Sequence, residues 1–159
     1  MTRDADALRA DMTGAALKWE AEHGYITLHD YFGDKPHTQD QEANAIELLK
    51  CVNALLAEFV AQGGKLEVDQ DTGTHISGSK GGHGDGGFRL SNAVTGKPGS
   101  AHKEGMAVDV YDAGEKLDEW ISRDILVRYG LFREAAPHTI GWCHLQTREP
   151  KSGNRSFNP

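Results

Sequence analysis

The sequence predicts an α+β fold, with helices packed on one face of a small antiparallel sheet. A long helical pattern occupies residues 38–62, and short apolar segments typical of strands occupy 106–112 and 139–147. The predicted order is helix, helix, strands, long loop, strand, helix, strand, which favours helices covering one side of a sheet. The 159 residues suit one domain. We divide this domain into an N-terminal helix and lead-in (1–37), a core (38–146) and a tail (147–159).

Two helices are predicted in the first part of the chain. Apolar residues recur at spacings of three and four over residues 1–23, and Gly24 ends this pattern. After an irregular stretch, Thr38 or Asp40 caps a second helix of about 20 residues, and Gly63 ends it. The apolar stripe of this second helix predicts that it packs in the core: Ala45, Ile46, Leu48, Leu49, Val52, Leu55, Leu56, Phe59 and Val60.

Short β-rich segments follow at 65–69 and 74–79, where we expect strands. Residues 79–88 contain five glycines in ten positions and predict a loop, and loops on a rigid frame often carry function. A third helix, also amphipathic, is predicted over 115–129. The final segment, 147–159, is polar apart from Phe157, and we expect it to pack over the surface.

Composition excludes several classes of protein. Seventeen Lys and Arg against 24 Asp and Glu give a net charge of −7, which disfavours nucleic-acid binding because that needs basic patches. No apolar run is long enough for a membrane span. The N-terminus lacks the pattern of a signal peptide, and Cys51 and Cys143 are expected to be free thiols. We therefore expect synthesis in the cytoplasm.

Two histidines and an aspartate form a candidate metal-binding set. Asp109 lies between Val108 and Val110, where an unpaired carboxylate is costly to bury, and no Lys or Arg within the segment supplies a counter-charge. His102 ends the preceding loop, and His144 lies within the last predicted strand. Three such ligands with an open fourth position are typical of catalytic zinc. On spacing alone the alternative stays open, because a lone strand histidine is usually a hydrogen-bonded core residue or a polar surface residue.

The local sequence pattern around these residues is more specific than their spacing. It comprises the pattern S-x-H-x-x-G-x-A-x-D at residues 100–109, the pattern W-x-H at 142–144, and G-F-R at 87–89 with Asn92 three residues later. Across residues 38–146 the chain resembles the zinc D-Ala-D-Ala carboxypeptidase and L-Ala-D-Glu endopeptidase family, in its phage and bacterial branch. That family shares its fold with the hedgehog signalling domain.

The resemblance implies roles for individual residues. It makes His102, Asp109 and His144 the ligands of one Zn²⁺ per chain. It makes Arg89 the arginine that binds a substrate carbonyl or carboxylate. For Arg89 we expect no contact with the metal ligands or the core.

The general base is the point at which this chain departs from the family pattern. Many members carry Glu or Asp three residues before the last zinc histidine, and this chain has Gly141 there. The nearest substitutes are His138 and Glu134. We assign the role to His138, because a neutral imidazole can accept a proton from water at the metal. Glu104 is a weaker candidate.

Two residues are candidates for substrate binding. Trp142 lies on the same strand face as His144 and either walls a cleft or packs internally, while Ser100 either contacts substrate or fixes its turn. Cys143 points to the opposite face, where core packing is favoured over a thiolate ligand.

The resemblance implies a zinc peptidase that hydrolyses peptidoglycan stem peptides. The resemblance further implies a phage or prophage lysis enzyme (endolysin) that acts on the cell wall. The alternative is a non-catalytic zinc-binding module on the same fold, for which the hedgehog domain is a precedent. Gly141 favours the alternative, whereas the complete ligand set and Arg89 favour the enzyme.

Overall fold

A computed structural model describes residues 22–78, 86–93, 99–135 and 138–159. All but residues 22 and 23 of the helix predicted over 1–23, and most of the glycine-rich loop, lie outside the described residues. Among the described helices, none is long and apolar enough to cross a membrane.

The long central helix is confirmed as α2 (Gln39–Ala61). It begins at Thr38, whose side chain accepts from the amide of Gln41, while the Gln41 side chain accepts from the amide of Thr38. A shorter helix, α1 (Leu28–Phe32), precedes it in a stretch for which we had predicted irregular structure. Thr27 caps α1 in the same reciprocal way with Asp30, a signal too short to stand out in the sequence.

The sheet has four strands: β1 (Ala107–Tyr111), β2 (Phe132–Glu134), β3 (Trp142–Gln146) and β4 (Ser156–Phe157). Their order is β1-β3-β2-β4. β3 runs antiparallel to both β1 and β2, but β4 runs parallel to β2. The prediction of an antiparallel sheet is therefore wrong for one pairing, and the sheet is mixed. The chain reverses after β3 as in a hairpin, but β2 already occupies that side of β3, so β4 pairs with β2.

Three other expectations need correction. The helix predicted over 115–129 is two helices, α3 (Lys116–Trp120) and α4 (Arg123–Tyr129), because Ser122 adopts an extended conformation and caps α4. In the segments predicted as strands, the described residues 65–69 and 74–78 form isolated bridges instead, Asp69 with Thr74 and Ile76 with Val110. Residue 79, the last of the second segment, lies outside the described residues. The C-terminal tail is part of the sheet rather than a surface covering, because it supplies β4.

The apolar core lies against one face of the sheet. Val108, Val110, Cys143 and Leu145 alternate along β1 and β3 and are buried in one cluster with residues of α1, α2 and α4. The intervening residues of both strands, among them Asp109 and His144, point to the opposite face. The α+β class is therefore confirmed, and the strand period separates the core from the candidate site.

Candidate metal centre

The fold brings His102, Asp109 and His144 together from distant parts of the chain. One ligand atom from each lies within 4.8 Å of the others, and all three residues are buried. Asp109 and His144 are direct partners across β1 and β3. His102 lies in a 3₁₀ turn, Ala101–Glu104, which leads into β1. We call these three residues the ligand cluster.

The 3₁₀ turn is positioned by its glycine. Gly105 ends the turn with φ +78°, and a Cβ there would lie 2.6 Å from the backbone oxygen of Gln41 in α2. Only glycine fits this left-handed position against the helix. Its place in the sequence pattern therefore has a structural cause, which is the close approach of the turn to α2.

Hydrogen bonds fix which nitrogen of His102 carries a proton. Nδ1 of His102 lies 2.9 Å from the backbone oxygen of Gly87. A carbonyl oxygen only accepts, so Nδ1 donates, and Nε2 of a neutral ring is left with its lone pair. That Nε2 faces Oδ1 of Asp109 at 3.3 Å.

The orientation of His144 is fixed by Gln146. Nε2 of Gln146 donates to the backbone oxygen of Arg148 at 2.6 Å, so its Oε1 is the atom that faces Nε2 of His144 at 2.8 Å. Nε2 of His144 therefore donates to this oxygen. Nδ1 of the neutral ring then presents a lone pair to Oδ1 of Asp109 at 2.8 Å.

Three acceptor atoms thus converge at the ligand cluster: Nε2 of His102, Nδ1 of His144 and Oδ1 of Asp109. Facing lone pairs in a buried site require a cation between them, either a proton or a metal ion. A proton on Nδ1 of His144 satisfies one pair, whereas a single metal ion satisfies all three atoms. Backbone and side-chain acceptors behind each imidazole are typical of metal-binding histidines. The residues present therefore fit a metal ion.

The pKa values reflect this arrangement. Burial by itself raises the pKa of Asp109, but pairing with His102 and His144 holds it below its ordinary value. Burial lowers the pKa of His102 despite the attraction of Asp109. Burial also acts to lower the pKa of His144, but the hydrogen bond that its protonated ring donates to Asp109 raises it overall. Asp109 is therefore ionised and His102 neutral at pH 7, the forms that bind metal.

Arg89 lies closer to the cluster than we expected from the sequence. It is buried, and its Nη2 lies 3.4 Å from Oδ2 of Asp109. Its backbone amide also donates to the backbone oxygen of His102. The expectation that Arg89 touches no metal ligand is therefore wrong, because its guanidinium contacts the carboxylate of Asp109 in β1. The two carboxylate oxygens are divided, Oδ1 facing the cluster and Oδ2 facing Arg89.

The two candidates for the general base differ in position. Glu134 lies at the end of β2, and its Oε2 is 3.9 Å from Nδ1 of His144, with the side chain 18% exposed. His138 is exposed in the turn that precedes β3, where its backbone amide donates to the oxygen of Ala135. Among the described residues, Glu134 is therefore a second carboxylate, besides Asp109, that lies next to the ligand cluster.

Three residues considered in the sequence remain to be placed: Ser100, Trp142 and Cys143. Ser100 is half-buried and precedes the 3₁₀ turn, but its side chain does not cap that turn. Trp142 is half-buried and pairs with Tyr111 across β1 and β3, on the face that carries His144. Cys143 is buried in the core, as predicted, and burial raises the pKa of its thiol.

Two residues of the site were not predicted from the sequence. Gln146 lies two residues after His144, so strand alternation places both on one face, a signal that was present in the sequence. Phe157, assigned to a surface tail, lies with its ring centroid 6.1 Å from that of His144. Only the pairing of β4 with β2 brings it there, and no local pattern specifies that pairing.

No family model, curated protein or solved structure matches this chain. The site's own residues are therefore the basis for assigning a function.

Proposed function

We propose that this chain is a zinc-dependent peptidase that hydrolyses peptidoglycan stem peptides, of the D-Ala-D-Ala carboxypeptidase or L-Ala-D-Glu endopeptidase type. The observation that carries the proposal is the convergence of three buried acceptor atoms from His102, Asp109 and His144. Two imidazoles and one carboxylate are a common ligand set for catalytic zinc. The substrate class rests on the resemblance of residues 100–109 and 142–144 to that peptidase family.

The residues around the cluster supply the other requirements of peptide hydrolysis. Zinc, when bound, provides a Lewis acid that polarises a carbonyl and lowers the pKa of water toward about 7. Glu134 is positioned to take a proton from water at the cluster and return it to the leaving amine. Arg89 places a positive charge beside the cluster, which suits an oxyanion or a terminal carboxylate. We therefore assign the base to Glu134 and keep His138 as its rival.

The second candidate function is a zinc-binding interaction module without catalysis. Gly141 supports it, because that position offers no carboxylate for the base. The contact of Arg89 with Asp109 also supports it, because an arginine that orients a ligand need not meet a substrate. The proximity of Glu134 to His144 favours the enzyme.

Digestion of purified cell walls separates these two functions. The zinc-loaded protein should lower the turbidity of the suspension and release peptides or amino acids, and a chelator should abolish both. His102→Ala should be inactive, while His29→Ala, which changes an exposed histidine in α1, should match the wild type. Binding of zinc without release from walls of several compositions would support the non-catalytic module.

A further inference from the structure

One transverse row of side chains crosses all four strands at the ligand cluster. Asp109 pairs with His144 across β1 and β3, and Glu134 pairs with Phe157 across β2 and β4. The register of β2 with β3, continued by one residue, places Glu134 beside His144. The row therefore reads Asp109, His144, Glu134, Phe157, all on the face opposite the core.

Phe157 is an unusual member of this row. Its ring lies edge-on to His144, with an interplanar angle of 83°, and it is half-buried. It does not belong to the apolar core cluster, which lies on the other face of the sheet. Because Phe157 is only half-buried, it leaves apolar surface next to the ligand cluster that is available to a ligand.

The backbone holds Phe157 firmly in this place. The amide of Arg133 donates to the oxygen of Arg155 and the amide of Ala135 donates to the oxygen of Phe157, both at 2.7 Å. Nη2 of Arg133 also donates to Oγ of Ser156 at 3.1 Å. These bonds attach β4 on both sides of the ring, so the ring presents a fixed surface.

We propose that Phe157 forms the apolar wall of a substrate subsite next to the ligand cluster. This subsite takes a small apolar side chain, such as the methyl group of alanine, adjacent to the scissile bond on the Glu134 side. The inference rests on the proposed peptidase function and deepens it. It makes the C-terminal strand a specificity element.

Peptide hydroxamates test the wall independently of catalysis, because a hydroxamate binds zinc in an open site. The probes are N-acetyl-glycine hydroxamate and the two enantiomers of N-acetyl-alanine hydroxamate, titrated into the zinc-loaded protein. One methyl group in an apolar pocket is worth roughly 10-fold in affinity. The wild type should therefore bind one alanine hydroxamate more tightly than the glycine hydroxamate by that factor. Phe157→Ala should reduce the preference to about twofold or less, and Phe157→Leu should retain most of it.

Two controls separate the wall from a structural role. The zinc dissociation constant should be the same in the wild type and both Phe157 variants. Phe132→Ala removes a ring from the neighbouring β2 position that pairs with Gln146, and it should leave the alanine preference intact. If Phe157→Ala fails to fold, the other two variants decide the same question. A full alanine preference in Phe157→Ser, or loss of the preference in Phe157→Leu, would contradict the wall.

The outcomes also separate this inference from the proposed function. An unchanged alanine preference in a folded, zinc-loaded Phe157→Ala protein overturns the wall. Failure of all hydroxamates to bind the zinc-loaded wild type overturns the open metal site and the subsite together. A preference that depends on Phe157 in a protein that digests no cell wall keeps the subsite and overturns the lytic function.

Discussion

The two faces of the sheet are built from the same strands and do different work. Val108, Val110, Cys143 and Leu145 face the helices and are fully buried, while Asp109 and His144 alternate with them and face the ligand cluster. The apolar face is stabilised by the area that it removes from water, a contribution shared among many side chains. The polar face depends on a few directed contacts, each with a specific partner. Substitutions on the polar face should therefore affect metal binding, whereas substitutions on the apolar face should affect stability.

The largest expected effect is on the polar face. His102→Ala or His144→Ala removes one of three converging acceptors, and bound zinc should fall from one per chain to nearly none. Metal analysis after gel filtration measures this directly. His29→Ala, at an exposed position, is the matched control. Stoichiometric zinc in either ligand variant would show that the cluster is not the metal site.

Glu134 and His138 offer the next largest effect, on the reaction rate. If Glu134 is the base, Glu134→Gln should keep zinc and lose roughly 10²–10⁴-fold in rate, because the amide cannot accept the proton. His138→Ala should then remain close to the wild type. The measurement is the initial rate on cell-wall peptides at saturating zinc. The reverse result would return the role to His138.

The apolar face should respond in stability. Leu145 is fully buried in the core, so Leu145→Ala should lower the free energy of unfolding by about 2–5 kcal/mol. The remaining folded protein should still bind one zinc ion, because Leu145 points away from the cluster. Urea denaturation and metal analysis of the same preparation test both statements. Loss of zinc from the folded variant would contradict the separation of the two faces.

The parts of the fold that were predictable are those with a strong local pattern. The stripe of α2, its cap at Thr38 and the alternation around Asp109 and His144 each lie within one segment. The structure confirms them except at Val60, which was predicted in the stripe and is exposed. Alternation also correctly assigned Cys143 to the core. The ligand cluster was predictable because each of its residues lies in, or directly before, a segment of this kind.

The missed features depend on pairing between distant segments. β2 has three residues and β4 two, too few to show a period, so neither strand was predictable. The parallel pairing of β4 places Phe157 at the site, and that information lies in tertiary contacts alone. The contact of Arg89 with Asp109 was missed for the same reason, since the two residues lie 20 positions apart.

Gln146 provides a graded test of the polar face. Gln146→Leu leaves Nε2–H of His144 buried without an acceptor and should weaken zinc binding by about 10–100-fold. Gln146→Glu keeps an acceptor at the same reach and should retain most of the affinity. Competition against a chromophoric chelator measures both constants. Equal affinity in Gln146→Leu would show that another contact sets the orientation of His144.

Arg89 gives the smallest expected effect on metal binding and bears most directly on the choice between enzyme and module. Its Nη2 contacts Oδ2 of Asp109, so Arg89→Ala should weaken zinc binding, by about 10-fold. Arg89→Lys keeps the charge but loses the planar fork, and its zinc affinity should lie between those of Arg89→Ala and the wild type.

If Arg89 also binds substrate, both variants should lose activity at saturating zinc. A loss mainly in KM for peptides with a free C-terminal carboxylate indicates a carboxypeptidase, and a loss mainly in kcat for all peptides indicates an endopeptidase. Full activity at saturating zinc would restrict Arg89 to orienting Asp109.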